Sequence, residues 1–264
     1  MNIKLVVTDM DGTFLDDSNT FDKQGFQELK NGLAAQRIRF VFCTGKQCER
    51  VENIVGNLSK DTFIIGDSAT RIKYNNDCLY TATIENRLGL EIITALTALD
   101  NDQTIIACTE DSAYILESTS DSERKFVHGS YQNVENITDY SKITADFLKI
   151  TVHDAKGNCK KTALDMADYE SAVYIVASED NWIDITKLGV NKGTTINKIQ
   201  DILNISPTET IVFGDGLNDL ELFKAGKYKV AMDNAYPELK QAANLIAVNN
   251  NQNGVINTLN LLLG

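Results

Sequence analysis

Ile3-Lys4-Leu5-Val6-Val7-Thr8-Asp9-Met10-Asp11-Gly12-Thr13 is a short apolar run, rich in β-branched residues, that stops at two aspartates and an Asp-Gly turn. A run of this kind bounded by turn residues reads as a buried strand. Residues two apart on a strand share a face, so Asp9 and Asp11 can both reach one ligand. Two carboxylates that close repel each other unless a cation or a shared proton relieves them. Taken alone, the pattern also suits a polar strand end followed by a plain turn.

The flanking sequence turns this strand into a fold. Residues 21–36 have helical spacing, with Phe26, Leu29 and Leu33 on one face; 38–44 read as a second strand, 46–58 as a helix and 62–67 as a third strand. This alternation indicates a parallel sheet covered by helices on both faces, whose ligands bind at the carboxyl ends of the strands. Residues 71–84 then look like a hairpin around Asn75-Asn76, and the rhythm changes. Between about Asn86 and Trp182, helical and strand-like segments with short connections suggest an α+β module with an antiparallel sheet, in which the polar stretch 118–146 resists assignment. From Asn191 the alternation resumes: a helix over 191–203, a strand ending in Gly214-Asp215-Gly216, and further helices and strands to residue 263. The expected class is α/β: a Rossmann-like parallel-sheet core, residues 1–82 and 185–264, interrupted by an α+β domain over 83–184.

Composition narrows the function. A net charge of -12 repels phosphate backbones and anionic lipid, so nucleic acid and membranes are poor partners. If the substrate is itself an anion, something local must override that field, and a bound cation would do so. The five cysteines are odd in number and irregular in spacing, which argues against a disulfide framework or a zinc site and for reduced thiols in the cytoplasm. No apolar stretch approaches the roughly 18 residues of a membrane span.

Three more stretches fall where such chemistry needs them. Thr44-Gly45 ends the second strand, and a hydroxyl beside free N–H groups at a helix entrance suits a phosphoryl oxygen; it also suits a simple helix cap. Lys192 opens a helix, where a cation is mildly unfavourable with the helix dipole unless it serves carboxylates or a phosphate nearby. Gly214-Asp215-Gly216-Leu217-Asn218-Asp219 places several hard oxygens in one turn, a donor set for magnesium or calcium, without the spacing of an EF-hand loop.

In this order, each at a strand end or a helix start, the four stretches resemble the motifs of the haloacid dehalogenase superfamily, in particular its Cof-type sugar-phosphatase branch. Val230–Ala235 and Asn249–Gly254 resemble the C-terminal half of that branch. The resemblance implies a phosphatase acting on small phosphorylated metabolites, with the inserted domain as a type C2 cap. Asp9 would be the nucleophile that forms an aspartyl-phosphate, and Asp11 the general acid and then base. Thr44, Gly45, Lys46, Lys192 and Asn218 would contact the phosphorylated substrate. Mg2+ would be held by Asp9, the backbone carbonyl of Asp11 and Asp215, with Asp219 bracing the arrangement from behind. A monomer or small homo-oligomer is expected. Alternatives are a phosphomutase with the same nucleophile, separable by phosphate release, and a non-catalytic phospho-ligand sensor; dehalogenation has no use for an acid at Asp11.

Two departures stand out. Lys46 occupies a place where the branch usually has arginine, and Asp67-Ser68 replaces the usual Asn-Gly, which would put a carboxylate at the site mouth. His128 and His153 lack partners at ligand spacing, Cys43 reads as a buried thiol, and Trp182 reads as packing.

Overall fold

The opening apolar run becomes β1 (Leu5–Thr8), buried at every residue. The computed structural model describes residues 2–99 and 102–263. After β1 come α1 (Lys23–Ala35), β2 (Arg39–Cys43), α2 (Cys48–Val55), β3 (Phe63–Gly66), β4 (Arg71–Tyr74) and β5 (Asp77–Thr81). Asp22 caps α1 by accepting the Gly25 N–H, and Phe26, Leu29 and Leu33 form its buried stripe, as the spacing requires. Asn75 and Asn76 both adopt left-handed backbones, φ 50° and 74°, the geometry of the two-residue turn that best matches hairpin twist.

The chain continues through α3 (Asn86–Leu99), β6 (Thr104–Cys108), β7 (Ala113–Leu116), α4 (Asp121–Ser130), β8 (Val134–Ile137), β9 (Lys149–His153), α5 (Cys159–Asp165), β10 (Val173–Glu179) and β11 (Trp182–Lys187). It then returns with α6 (Lys192–Leu203), β12 (Thr210–Gly214), α7 (Asp219–Lys224), β13 (Tyr228–Met232), α8 (Pro237–Ala242), β14 (Leu245–Ala247) and α9 (Gly254–Leu263).

Two compact units result: Met1–Leu79 with Asn191–Gly264, and Tyr80–Val190, against the 83–184 expected for the insert. β5 straddles the first border, and β11 runs past the border expected at 184 while still lying within the second unit.

The first unit holds a sheet ordered β14-β13-β12-β1-β2-β3-β4-β5. From β14 through β3 all neighbours are parallel, and β4 turns back antiparallel to β3. β1, β3 and β12 are buried throughout, the mark of strands covered on both faces. The chain leaves β1 toward β2 and β3 on one side and later fills β12, β13 and β14 on the other. The carboxyl end of β1 is therefore a topological switch point, where open α/β sheets bind ligands.

The second unit has a sheet ordered β10-β11-β9-β6-β7-β8. It corrects the expectation of an antiparallel sheet, because β7 and β8 pair in parallel, joined through α4. That α4-containing stretch is the one the sequence pattern left unassigned. One face of this sheet packs Ile105, Ala107, Ile150, Val152, Ile183 and Ile185 into a core with Ile92, Ile93 and Leu96 of α3. All five cysteines are free thiols. Among the described residues no helix is long and apolar enough to cross a membrane.

Candidate active site

The residues singled out from sequence meet in the first unit. Asp9 follows β1 directly, and its N–H donates to the Phe213 carbonyl of β12 at 3.1 Å, which fixes the strand end beside the Gly214–Asp219 turn. Its carboxylate is buried, and Lys192 Nζ lies 2.8 Å from its Oδ1. Lys192 is placed by its helix: Asn191 and Thr194 form a reciprocal cap that starts α6 and sets Lys192 in the first turn. A Cβ at Gly193 would collide with the Glu221 carbonyl, so glycine there lets α6 approach α7 closely.

Asp219 is fully buried and uses both carboxylate oxygens. Oδ1 takes the Lys192 ammonium at 2.6 Å, and Oδ2 accepts the N–H groups of Asp215 and Gly216 at 3.0 Å each. It therefore braces the lysine and the loop. Thr13 Oγ1 donates to Asp215 Oδ1 at 2.5 Å, and Gly12, at φ 66°, passes so close that a Cβ would collide with the Asp215 carboxylate. The Gly12 and Thr13 of the opening stretch thus orient Asp215. The second of these jobs, that of Thr13, has no separate signal in the sequence.

Asp9, Asp215 and Asp219 each offer a carboxylate oxygen within 4.8 Å of the others. Burial pushes the Asp9 carboxyl well above its ordinary range; Lys192 opposes this, while Asp219, Asp215 and Asp11 add to it. Burial alone would lower the Lys192 ammonium, but Asp219 and Asp9 outweigh it and hold it well above its ordinary value. Three carboxylates around one ammonium leave an excess of negative charge. Hard, closely spaced oxygens of this kind fit magnesium, and with both Asp219 oxygens turned to Lys192 and the loop N–H groups, Asp9 and Asp215 are the carboxylates that could hold it.

Asp11 stands apart from this cluster. Its side chain is 46% exposed and pairs with Lys46 Nζ at 2.7 Å. Lys46, placed from sequence as a substrate contact, is thus the partner of the expected acid. Thr44 is buried at the end of β2, and its hydroxyl accepts the Lys46 N–H at 3.2 Å across Gly45. Asn218 precedes α7, half-buried, its side chain folded back so that a Cβ on Gly216 would stand 2.7 Å from its Oδ1.

Asp67 corrects an expectation. It does not open onto the site mouth: it is buried, and Oδ2 accepts the Cys48 N–H at 3.3 Å and faces Arg71 at 3.4 Å. Its own N–H donates to the Lys46 carbonyl at 2.7 Å, so it ties down the loop that carries Thr44 and Lys46. Asp67, Ser68 and Ala69 all have positive φ, 53°, 55° and 73°, a run of left-handed backbone that no glycine announces. Among the side chains set aside from sequence, burial drives the Cys43 thiol far up, as expected of an inert core cysteine. His153 does have a partner, Glu123 at 2.7 Å, and inside the second unit it stacks on Phe126 and meets Trp182 at a tilt.

Known proteins match this chain from end to end. The family of haloacid dehalogenase-like hydrolases matches residues 6–259. The 5-amino-6-(5-phospho-D-ribitylamino)uracil phosphatase YbjI of Escherichia coli K12 is 26% identical over 100% of this chain and 97% of its own length. The phosphatase YcsE of Bacillus subtilis 168, named for the same substrate, is 23% identical over 97% of this chain and 94% of its own. The crystal structure of SMU.1108c from Streptococcus mutans UA159 superposes with a TM-score of 0.95 at 26% identity, covering 99% of both chains.

Proposed function

Because the chain belongs to the haloacid dehalogenase-like hydrolases and is a phosphatase of their Cof-type branch, we propose that it hydrolyses phosphomonoesters of small metabolites through a phosphoryl group carried on Asp9. The observation that carries this reading is the cluster in which Lys192 lies 2.8 Å from Asp9 while Asp215 offers a carboxylate oxygen within 4.8 Å of one on Asp9.

In the first step an Asp9 oxygen attacks phosphorus and the ester P–O bond breaks, leaving an acyl phosphate on Asp9. The departing alkoxide takes a proton from Asp11. In the second step Asp11, now a carboxylate, takes a proton from water as the water oxygen attacks phosphorus; inorganic phosphate leaves and Asp9 is regenerated. The Thr44 hydroxyl, the Gly45 backbone and Asn218 hold phosphoryl oxygens, and Lys192 balances the charge that builds on them. Lys46 meets the substrate as its pair with Asp11 opens. Mg2+ would be held by Asp9, Asp215 and the Asp11 carbonyl, and when bound it neutralises phosphoryl charge and orients the group for in-line displacement. That local positive field answers how a protein of net charge -12 takes an anionic substrate.

Two relatives are named for a phosphorylated ribityl compound, which supports a sugar- or polyol-phosphate as substrate. The Tyr80–Val190 unit carries none of the four motifs, and we assign it the selection of the leaving group. The free thiols fit a reducing cytoplasm. A panel of phosphorylated metabolites, assayed for phosphate release with and without magnesium, tests the whole reading. Release from sugar phosphates only when magnesium is present is the expected result; transfer to a second hydroxyl without phosphate release would overturn it.

A further inference from the structure

The turn that presents Asp11 is closed on one carbonyl. Met10 O accepts the N–H groups of Thr13 at 3.3 Å, Phe14 at 3.0 Å and Leu15 at 2.8 Å. Closing inward on Met10 leaves other carbonyls of the turn to find partners elsewhere, since buried or half-buried backbone groups are seldom left unmade. Two of them are met from the far end of the chain. Asn234 Nδ2 donates to Gly12 O at 2.7 Å, and Asn250 Nδ2 donates to Leu15 O at 3.0 Å. The two asparagines are themselves linked, because the Asn250 N–H donates to Asn234 Oδ1 at 3.1 Å. That bond also fixes which end of the Asn234 amide is oxygen and which is nitrogen. Two residues on, the Tyr236 N–H donates to the Asp215 carbonyl at 3.0 Å, so a single loop after β13 holds both the Asp11 turn and the Asp215 loop.

We propose that Asn234 is a positioning residue for Asp11, acting through the Gly12 carbonyl. This rests on the role given to Asp11 above. The Asp11 side chain is half exposed and packing does not hold it, so its place is set by the Lys46 pair and by the orientation of the turn. The Gly12 carbonyl lies one peptide beyond Asp11, and glycine at φ 66° gives that peptide freedom to rotate. Asn234 is exposed and lies outside the buried core, so its amide serves orientation more than packing.

The test is a double-mutant cycle on the full chain with magnesium. Asn234→Ala should lower kcat about tenfold on an alkyl phosphate and by less than about threefold on p-nitrophenyl phosphate, whose leaving group needs little protonation. In an Asp11→Ala background the same change should add less than about twofold, because the group it positions is gone. Asn234→Asp keeps an acceptor for Asn250 and replaces the donor to Gly12 by a carboxylate oxygen; it should show the same coupling and guards against a folding defect in the first variant. Equal losses on both substrates, or losses that add to those of Asp11→Ala, overturn the assignment. A flat leaving-group dependence in Asp11→Ala alone overturns the acid reading of Asp11 instead, and leaves the coupling between the two residues to be read independently on the aryl substrate.

Discussion

Among the described residues each unit buries a lysine against aspartate, and the two arrangements differ in charge balance. In the second unit, Lys149 on β9 lies 3.2 Å from Asp184 on β11, and the Thr151 hydroxyl donates to the same Asp184 oxygen at 2.8 Å. The Lys149 ammonium also sits 5.7 Å from the centre of the Tyr131 ring. Among the ion pairs of the described residues, this one sets one cation against one anion. In the first unit, Lys192 meets Asp9 and Asp219 at 2.8 and 2.6 Å, with Asp215 in the same carboxylate cluster. A balanced buried pair is finished by folding; an unbalanced one is finished only when a cation arrives. Burial and a salt bridge therefore do not by themselves mark a functional site. The unmatched charge does, together with its place at the carboxyl end of β1.

The sharpest way to break this contrast is to remove the nucleophile while preserving its shape. Asp9→Asn should cut phosphate release at least about a thousandfold, roughly 4 kcal/mol of barrier, with the circular dichroism spectrum unchanged. Near-normal release from a folded variant would remove the chemical meaning of the unbalanced cluster. Next in size is Lys192→Met, which strips the only ammonium bonded to Asp9 and Asp219 among the described residues. Turnover should fall at least about a hundredfold, since charge on the phosphoryl group loses a fixed counter-charge. Steady-state kinetics at saturating substrate measure it; a loss under about fivefold would show that Lys192 only balances the folded state.

Magnesium should sharpen the comparison by acting on stability. Anything bound to the native state alone stabilises it, by about 2.7 kcal/mol at a hundred times Kd. Thermal unfolding of the wild-type protein should shift upward with added magnesium, and Asp215→Asn should lose most of that shift along with activity. An unchanged shift in Asp215→Asn would place the ion elsewhere.

How far the sequence reaches can be judged from particular residues. The strand ends that carry Asp9, Thr44 and Asp215 are legible because fully buried parallel strands read as unbroken apolar runs and stop at turn residues. The Asn75-Asn76 turn is legible because asparagine tolerates the left-handed backbone the hairpin needs. By contrast, α4 buries only Val127 and β8 is an edge strand buried at no residue, so neither shows the periodicity that betrays an element. Asp67 was misplaced because the left-handed run 67–69 has no glycine to signal it, and that backbone directs the carboxylate inward to Cys48. Asn234 and Asn250 were legible only as turn formers. Their bonds to Gly12 and Leu15 span more than two hundred residues and leave no local pattern.

The smallest expected effect on turnover belongs to the balanced pair. Lys149→Met removes the ammonium and leaves Asp184 buried with the Thr151 hydroxyl as its remaining hydrogen-bond partner among the described residues. Breaking one side of a buried pair costs about 3 kcal/mol, because the surviving charge must stay desolvated or take up a proton. Phosphate release under conditions where the variant is folded should stay within about threefold of wild type, since Lys149 belongs to none of the four motifs. Replacing both partners, Lys149→Met with Asp184→Leu, should recover most of the lost stability, as apolar side chains of similar volume need no counter-charge; the Thr151 hydroxyl, left without its acceptor, holds back about 1 kcal/mol. Urea midpoints and aryl-phosphate turnover, measured on the same samples, separate the two quantities. The comparable rescue does not exist for Lys192, whose partners include the nucleophile itself. If Lys149→Met lowered turnover as steeply as Lys192→Met, the lysine of the second unit would belong to the substrate's chemistry. Charge balance would then no longer distinguish a structural pair from a functional one.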